Sequence, residues 1–143
     1  MLPTQGKMQF SEHAVLYDML IPKNHLLRQI NELIDFSFIY DELVSKYCPD
    51  NGRTAVDPIV MFKYLLLKTI YRLSDVDVVE HSRYDLSYKF FLGLMPEDDV
   101  IDPSSLCKFR RTRLKDMNLL DMLIGKTVEL AISKGIIKSG TII

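Results

Sequence analysis

Apolar side chains recur at helical spacing through most of this chain. Leu26, Leu27, Ile30, Leu33 and Ile34 stand three and four residues apart, and Ile39, Leu43 and Tyr47 repeat the spacing. Side chains so spaced share one face of an α-helix, so two amphipathic helices are predicted before the turn-rich stretch CPDNG at 48–52. Asp57-Pro58 predicts the next helix start, because the Asp carboxylate accepts from free backbone N–H groups and Pro at the first helical position needs none. The helix it opens, to about Leu73, is apolar nearly all round, with Lys63, Lys68, Thr69 and Arg72 as its few strongly polar members. A helix of that kind belongs in the middle of a bundle.

Ser74 followed by Asp77 resembles a capping box with Asp in place of Glu and predicts a short helix to about Arg83. Asp85 predicts another through Phe91, closed by Gly93, and MPEDDVIDP forms a loop. Asp102-Pro103 then repeats the Asp-Pro start, and Asn118 is expected to cap a last helix through Lys134 with Gly135 as its stop. In the tail IIKSGTII, Ile136, Ile137, Ile142 and Ile143 flank a Lys-Ser-Gly turn and read as β structure. The expectation is one all-α domain, a compact bundle of five to seven helices over 16–135. An N-terminal arm at 1–15 precedes it, its C-terminal half is helix-turn-helix-like, and a short β stub at 136–143 ends it.

Composition narrows the picture without redirecting it. The chain has 143 residues, 48% hydrophobic and 26% charged, which suits one soluble domain with its own core. No basic and apolar leader opens it and no apolar run reaches the eighteen or so residues of a membrane span, so a cytoplasmic protein is expected. Cys48 and Cys107 fit no CxxC pattern, and His13, His25 and His81 stand singly, so no metal-ligand spacing occurs and both cysteines read as reduced thiols. No GxSxG, HExxH or Walker loop is present, which speaks against a free-standing hydrolase.

Charge adds something new. Five of the eighteen Lys and Arg residues fall within 108–115, and the rest of the chain carries 13 basic against 19 acidic side chains, about −6. On a helix begun at Pro103, the residues Ser104, Lys108, Arg111 and Lys115 form one polar stripe within an arc of roughly 60°. Leu106, Phe109 and Leu114 face the other way, with Arg110 and Arg113 among them. A duplex backbone needs several cations on one exposed face, which the stripe supplies, and Ser104 with Ser105 lies at a helix N-terminus that suits a phosphate. Arg110 and Arg113 must run along apolar surface or find a carboxylate, for which Glu97, Asp98, Asp99 and Asp102 are nearest in sequence. The alternative is a solvated face whose cations balance those four acids, and sequence physics alone leaves both readings standing.

Other features read as packing. Tyr84, Tyr88, Phe90 and Phe91 are expected to fill the core rather than stack on bases, and the run MFKYLLL at 61–67 to be core rather than a dimer interface. Arg53 reads as a solvated loop residue, and His81 as a surface histidine with no nucleophile to activate.

Four stretches taken together carry a resemblance: LIPKNHLLRQINELIDFSFIYDEL (20–43), NGRTAVDPIVMFKYLLLKTIY (51–71), YKFFLGL (88–94) and DPSSLCKFRRTRL (102–114). In order and spacing they resemble the N-terminal, InsH-type domain of bacterial insertion-sequence transposases, which precedes a DDE catalytic domain. The resemblance runs from about residue 16 to the end. It implies a helical region that helps recognise the double-stranded ends of a mobile element, joined to a ribonuclease-H-like domain that cuts and joins DNA. It also implies that 136–143 leads into the first strand of that domain, short of the first catalytic Asp, so this chain is expected to be a truncated form without catalysis or cofactor. The divalent metal would belong to the missing domain.

On this reading the DNA-binding residues are Ser104, Ser105, Lys108, Arg110, Arg111, Arg113 and Lys115. Lys108, Arg111 and Lys115 would meet phosphates, and Arg110 and Arg113 would be structural or inserted more deeply. The rival is a protein-interaction module that forms homodimers, or a truncated product that inhibits the full-length enzyme through mixed oligomers. The net acidity outside 108–115 supports it, since that charge repels DNA everywhere but one stripe.

Overall fold

The computed structural model describes residues 12–44, 57–114 and 117–137. Among them are eight helices and no strand: α1 Val15–Leu20, α2 Leu26–Leu33, α3 Ser37–Val44, α4 Pro58–Tyr71, α5 Asp75–Tyr84, α6 Leu86–Leu92, α7 Pro103–Arg113 and α8 Met117–Ser133. The all-α bundle expected from the apolar spacing is what forms, with one helix more than the upper expectation. None of the described helices is long and apolar enough to cross a membrane.

The capping residues act as their chemistry dictates. Asp57 accepts from the Ile59 N–H at 2.8 Å, Ser74 from the Asp77 N–H at 3.1 Å and Asp85 from the Ser87 N–H at 2.9 Å. Asn118 differs, since α8 begins at Met117 and Asn118 therefore lies within the first turn rather than before it. At the other end, the Gly135 N–H donates to Ile132 O and the Ile136 N–H to Ala131 O, with Gly135 at φ 74°. This is a Schellman closure, in which a left-handed residue lets two N–H groups turn back onto the last free carbonyls. Ile136 and Ile137 thus close α8 instead of starting a strand, and Ile137 is buried. Residues 138–143 of the expected β stub lie outside the described residues.

α4 is the central helix. Met61, Phe62, Tyr64, Leu65, Leu66 and Leu67 are all buried, and α3, α5, α6 and α7 pack around them. The run 61–67 is core. Around it stand Leu27, Ile30, Ile39, Leu43, Val78, Val79, Phe91, Leu92 and Leu106, each with almost no exposed surface. Buried hydroxyls in the helices are satisfied locally: Ser82 donates to Val78 O and Thr127 to Leu123 O, each four residues back.

α1 shows no period in the sequence, because six residues are too few to carry one. It is fastened from outside itself: the buried Arg28 guanidinium donates to Tyr17 O at 3.2 Å, Ile21 O at 2.9 Å and Asp18 Oδ1 at 2.8 Å, and lies 5.0 Å over the Phe90 ring. Its Nε is 3.5 Å from Glu32 Oε2, close enough for attraction between charges but too long for a good hydrogen bond. The Tyr17 hydroxyl donates to Leu94 O, which ties α1 to the loop after α6. Lys89 holds the same loop, its Nζ donating to Pro96 O at 2.8 Å and Asp98 O at 2.6 Å. These contacts fix where the chain turns toward α7.

Lys63 is the polar exception in the middle of α4. Its ammonium donates to Asn31 Oδ1 at 2.6 Å and Phe91 O at 3.0 Å, and sits about 5 Å from the centres of the Phe36 and Phe91 rings. Burial lowers its pKa to about 8, partly opposed by Asp57. The unfolded chain keeps this proton up to the ordinary lysine value of 10.5. Between those values the unfolded state binds the extra proton, so stability rises with pH across that window. The wild type should gain roughly 1–3 kcal/mol relative to Lys63→Met as pH goes from 8 to 10.5, measured by urea unfolding at each pH. Parallel pH profiles would show that the amine is not desolvated by the fold.

Candidate nucleic-acid interface

α7 is capped by Asp102, whose carboxylate accepts from the Ser104 N–H and the Ser104 hydroxyl, both at 2.9 Å. The Ser105 N–H donates to the Asp102 carbonyl at 2.9 Å. The Ser104 backbone bond, and then its hydroxyl, hold the Asp102 carboxyl below the usual carboxylate range. The positive end of the helix therefore already has an anion, covalently part of the chain. A phosphate at Ser104 and Ser105 would have to displace it.

Along α7 the apolar side turns inward, with Leu106 and Phe109 buried and Leu114 buried just beyond the helix. Ser104, Cys107, Lys108 and Arg111 are exposed. Steps of three, one and three residues keep these four side chains on one side of the cylinder, with Lys108 and Arg111 a turn apart. The helix ends at Arg113, and Leu114 at φ −121°, ψ 47° leaves helical geometry. The period that would carry the stripe on to Lys115 stops there. Lys115, and the side chain of Arg113, lie outside the described residues, as does Arg53.

Arg110 points the other way. Its guanidinium forms a two-pronged pair with Asp75, Nη1 to Oδ1 at 2.9 Å and Nη2 to Oδ2 at 2.6 Å. Lys68 Nζ stands 3.1 Å from the same Oδ1. The nearest carboxylates in sequence are not its partners: Asp98 accepts from the Met95 N–H and Asp102 caps α7. The partner comes from 35 residues upstream because α5 packs against α7. Asp75 thereby joins α4, α5 and α7 through one carboxyl. The Arg110 hydrogen bond does most to hold the Asp75 pKa down, against burial, and Asp75 in turn raises that of Arg110.

Behind this pair the C-terminal end of α4 and a leucine of α8 border an open cavity of about 320 Å³ lined by Lys68, Thr69, Arg72 and Arg110. Arg72 is exposed and sits at φ 56°, ψ 52°, and no other described residue besides glycine has positive φ. In the sequence Lys68 and Arg72 read only as the polar members of α4. Their four-residue spacing at a helix end was visible, but not that Arg110 would face them.

Of the four aromatic residues expected in the core, Tyr88 and Phe91 are buried, and Phe90 is partly covered by Arg28. Tyr84 departs, with 80% of its surface exposed. His81 is on the surface, stacked on Tyr88 at 5.9 Å, with Nδ1 3.0 Å from Asp77 O.

Asp75→Asn should cost about 1–3 kcal/mol at neutral pH, because it leaves the partly buried Arg110 and Lys68 without a counter-charge. The sign follows from the lowered pKa: the stabilisation is complete above the unfolded Asp value and is lost as pH falls through the folded one. Chemical denaturation from pH 7 to pH 2 should show the two proteins converging in acid. A constant gap would assign the loss to shape instead of charge.

A family model described as Transposase domain (DUF772) matches residues 15–112. The match runs from the start of α1 into the last turn of α7, so it takes in Ser104, Ser105, Lys108, Arg110 and Arg111, while Arg113, Lys115 and α8 lie beyond it. No curated protein and no solved structure matches the chain. With about two thirds of its length covered, from the first helix through the basic one, the chain belongs to the family of transposase domains.

Proposed function

We propose that this domain grips double-stranded DNA at the ends of a mobile element, using the exposed face of α7. The observation that carries the reading is the pair Lys108 and Arg111, a turn apart on the outer side of a helix whose inner side is locked to the core. A duplex backbone laid along that face meets two cations at once, and each neutralised phosphate releases counterions. The net negative charge elsewhere repels the same backbone, so approach is oriented toward α7.

Within this reading Arg110 is a brace. By holding Asp75 it fixes the rotation of α7, and with it the direction in which Lys108 and Arg111 project. Arg113 and Lys115 follow in the chain and would extend the contact. Ser104 and Ser105 would anchor a phosphate only by exchanging their Asp102 contacts for it. Helices α5 to α7 would act as a helix-turn-helix variant with α7 in the recognition position, although the 93–102 connection is longer than the usual three or four residues. The parent would be a cytoplasmic insertion-sequence transposase of the DDE class. Its catalytic carboxylates and divalent metal would reside in a separate ribonuclease-H-like domain, so this part supplies grip and not bond cleavage.

A second reading, self-association or mixed oligomers with a full-length enzyme, is favoured by one feature. Leu20 and Tyr84, both largely exposed, line an open groove between the α1–α2 turn and the α5–α6 junction. A second copy could cover it. Sedimentation at several concentrations decides: a dimer that ignores DNA supports this reading over the first.

Fluorescence anisotropy of a labelled duplex across a salt series tests the main reading. Lys108→Glu combined with Arg111→Glu should weaken binding about tenfold or more at low salt and flatten the slope of log affinity against log salt by about two. Unchanged binding by a folded double variant would remove α7 from the interface.

A further inference from the structure

Three helices of this bundle close in the same way, and one of them does so at a cost. At the end of α6 the Gly93 N–H donates to Phe90 O and the Leu94 N–H to Lys89 O, with Gly93 at φ 82°. Gly135 does the same for α8. At the end of α4 the Leu73 N–H turns back to Lys68 O in the same pattern, but the left-handed position is held by Arg72. A side chain there brings Cβ against the following carbonyl, which glycine avoids. The fold asks for glycine and receives arginine.

The surroundings say what the arginine can do. Arg72 borders the cavity that Lys68, Thr69 and Arg110 also line, and it forms no ion pair with any described residue. Among the described residues Asp75 is the one carboxylate paired with Lys68 and Arg110, so there three cations face one anion and two positive charges are in excess. The donors are not used up either. Asp75 takes one N–H of the three on Lys68 and two of the five on Arg110. Cations at a helix C-terminus can also serve the helix dipole. Here, however, α5 begins at Asp75 only a few residues after α4 ends, so a positive helix end follows that negative one closely in the chain.

We propose that Lys68, Arg72 and Arg110 form a seat for one phosphate oxyanion, and that in this domain it takes a phosphate of the DNA backbone beyond those met by Lys108 and Arg111. The second half of the proposal rests on the DNA-binding reading above; the first does not. Arg110 and Arg111 are adjacent on α7, about 100° apart around it, so the seat and the exposed stripe lie on neighbouring sides of one helix. Arg72 supplies the exposed, uncommitted fork, while Arg110 and Lys68 are already held in place by Asp75.

The backbone at residue 72 offers a clean test. Arg72→Gly removes the charge and places glycine where φ is 56°, so the variant should melt at the wild-type temperature or higher. Inorganic phosphate, added against chloride at equal ionic strength, should raise the melting temperature of the wild type and leave that of Arg72→Gly unmoved. In anisotropy with a labelled duplex, Arg72→Gly should bind about 3- to 10-fold more weakly, with the salt slope reduced by about one. Arg72→Lys, which keeps the charge, should recover most of the slope.

A wild type that responds to phosphate but does not bind DNA keeps the seat and overturns the DNA reading. DNA binding of Arg72→Gly equal to wild type in affinity and slope, with the phosphate response lost, makes it a site for free phosphate and overturns the backbone assignment. Equal DNA binding with no phosphate response in either protein overturns the seat altogether. Should Arg72→Gly melt lower, Arg72→Asn, which also tolerates the left-handed conformation, serves in the same two assays.

Discussion

A helix that is apolar nearly all round has to be covered all round, and that requirement organises this domain. α4 presents Met61, Phe62, Tyr64, Leu65, Leu66 and Leu67 in every direction, so α3, α5, α6 and α7 must arrange themselves about it. Its few polar side chains are accommodated in two ways. Lys63, halfway along, is kept among two phenylalanine rings, an amide and a carbonyl. Lys68 and Arg72, at the C-terminal end, come out where α5 starts and α7 crosses, and there Asp75 collects Lys68 and Arg110. The apolar middle of α4 makes the core, and its charged end makes the corner on which the basic helix rests.

Much of this could be read before the structure, for local physical reasons. A cap needs an oxygen two or three residues from an N–H, and a left-handed closure favours glycine, so Asp57, Ser74, Asp85, Asp102, Gly93 and Gly135 mark their helices in the sequence. The division of α7 into an inner and an outer face followed from the period alone. What escaped was non-local or too short. Asp75 and Arg110 are 35 residues apart, and only the packing of α5 on α7 brings them together. α1 has six residues and owes its place to Arg28.

The functional reading draws on both levels. Membership of the transposase-domain family sets the context, and the geometry of α7 supplies the face. The same geometry redistributes the roles given to the basic residues. Two of the five cations within 108–115 have described, outward-facing side chains, Lys108 and Arg111, and one, Arg110, is turned inward to a carboxylate. Cations of nearly the same sequence position thus divide into those that project outward and one that is tied to a carboxylate of another helix. Asp102 adds a constraint of its own, since it fills the helix terminus that a phosphate would otherwise favour.

The three-helix junction at Asp75 also bears on the thermodynamics of any encounter at α7. Leu106, Phe109 and Leu114 are buried and Arg110 is paired with Asp75, so the helix beneath Lys108 and Arg111 is already formed and packed before a ligand arrives. Little chain has to be ordered on association, and little apolar surface lies on the outer face to be covered. Complex formation there would therefore carry a small heat-capacity change and draw its favourable free energy mainly from the ions it sets free.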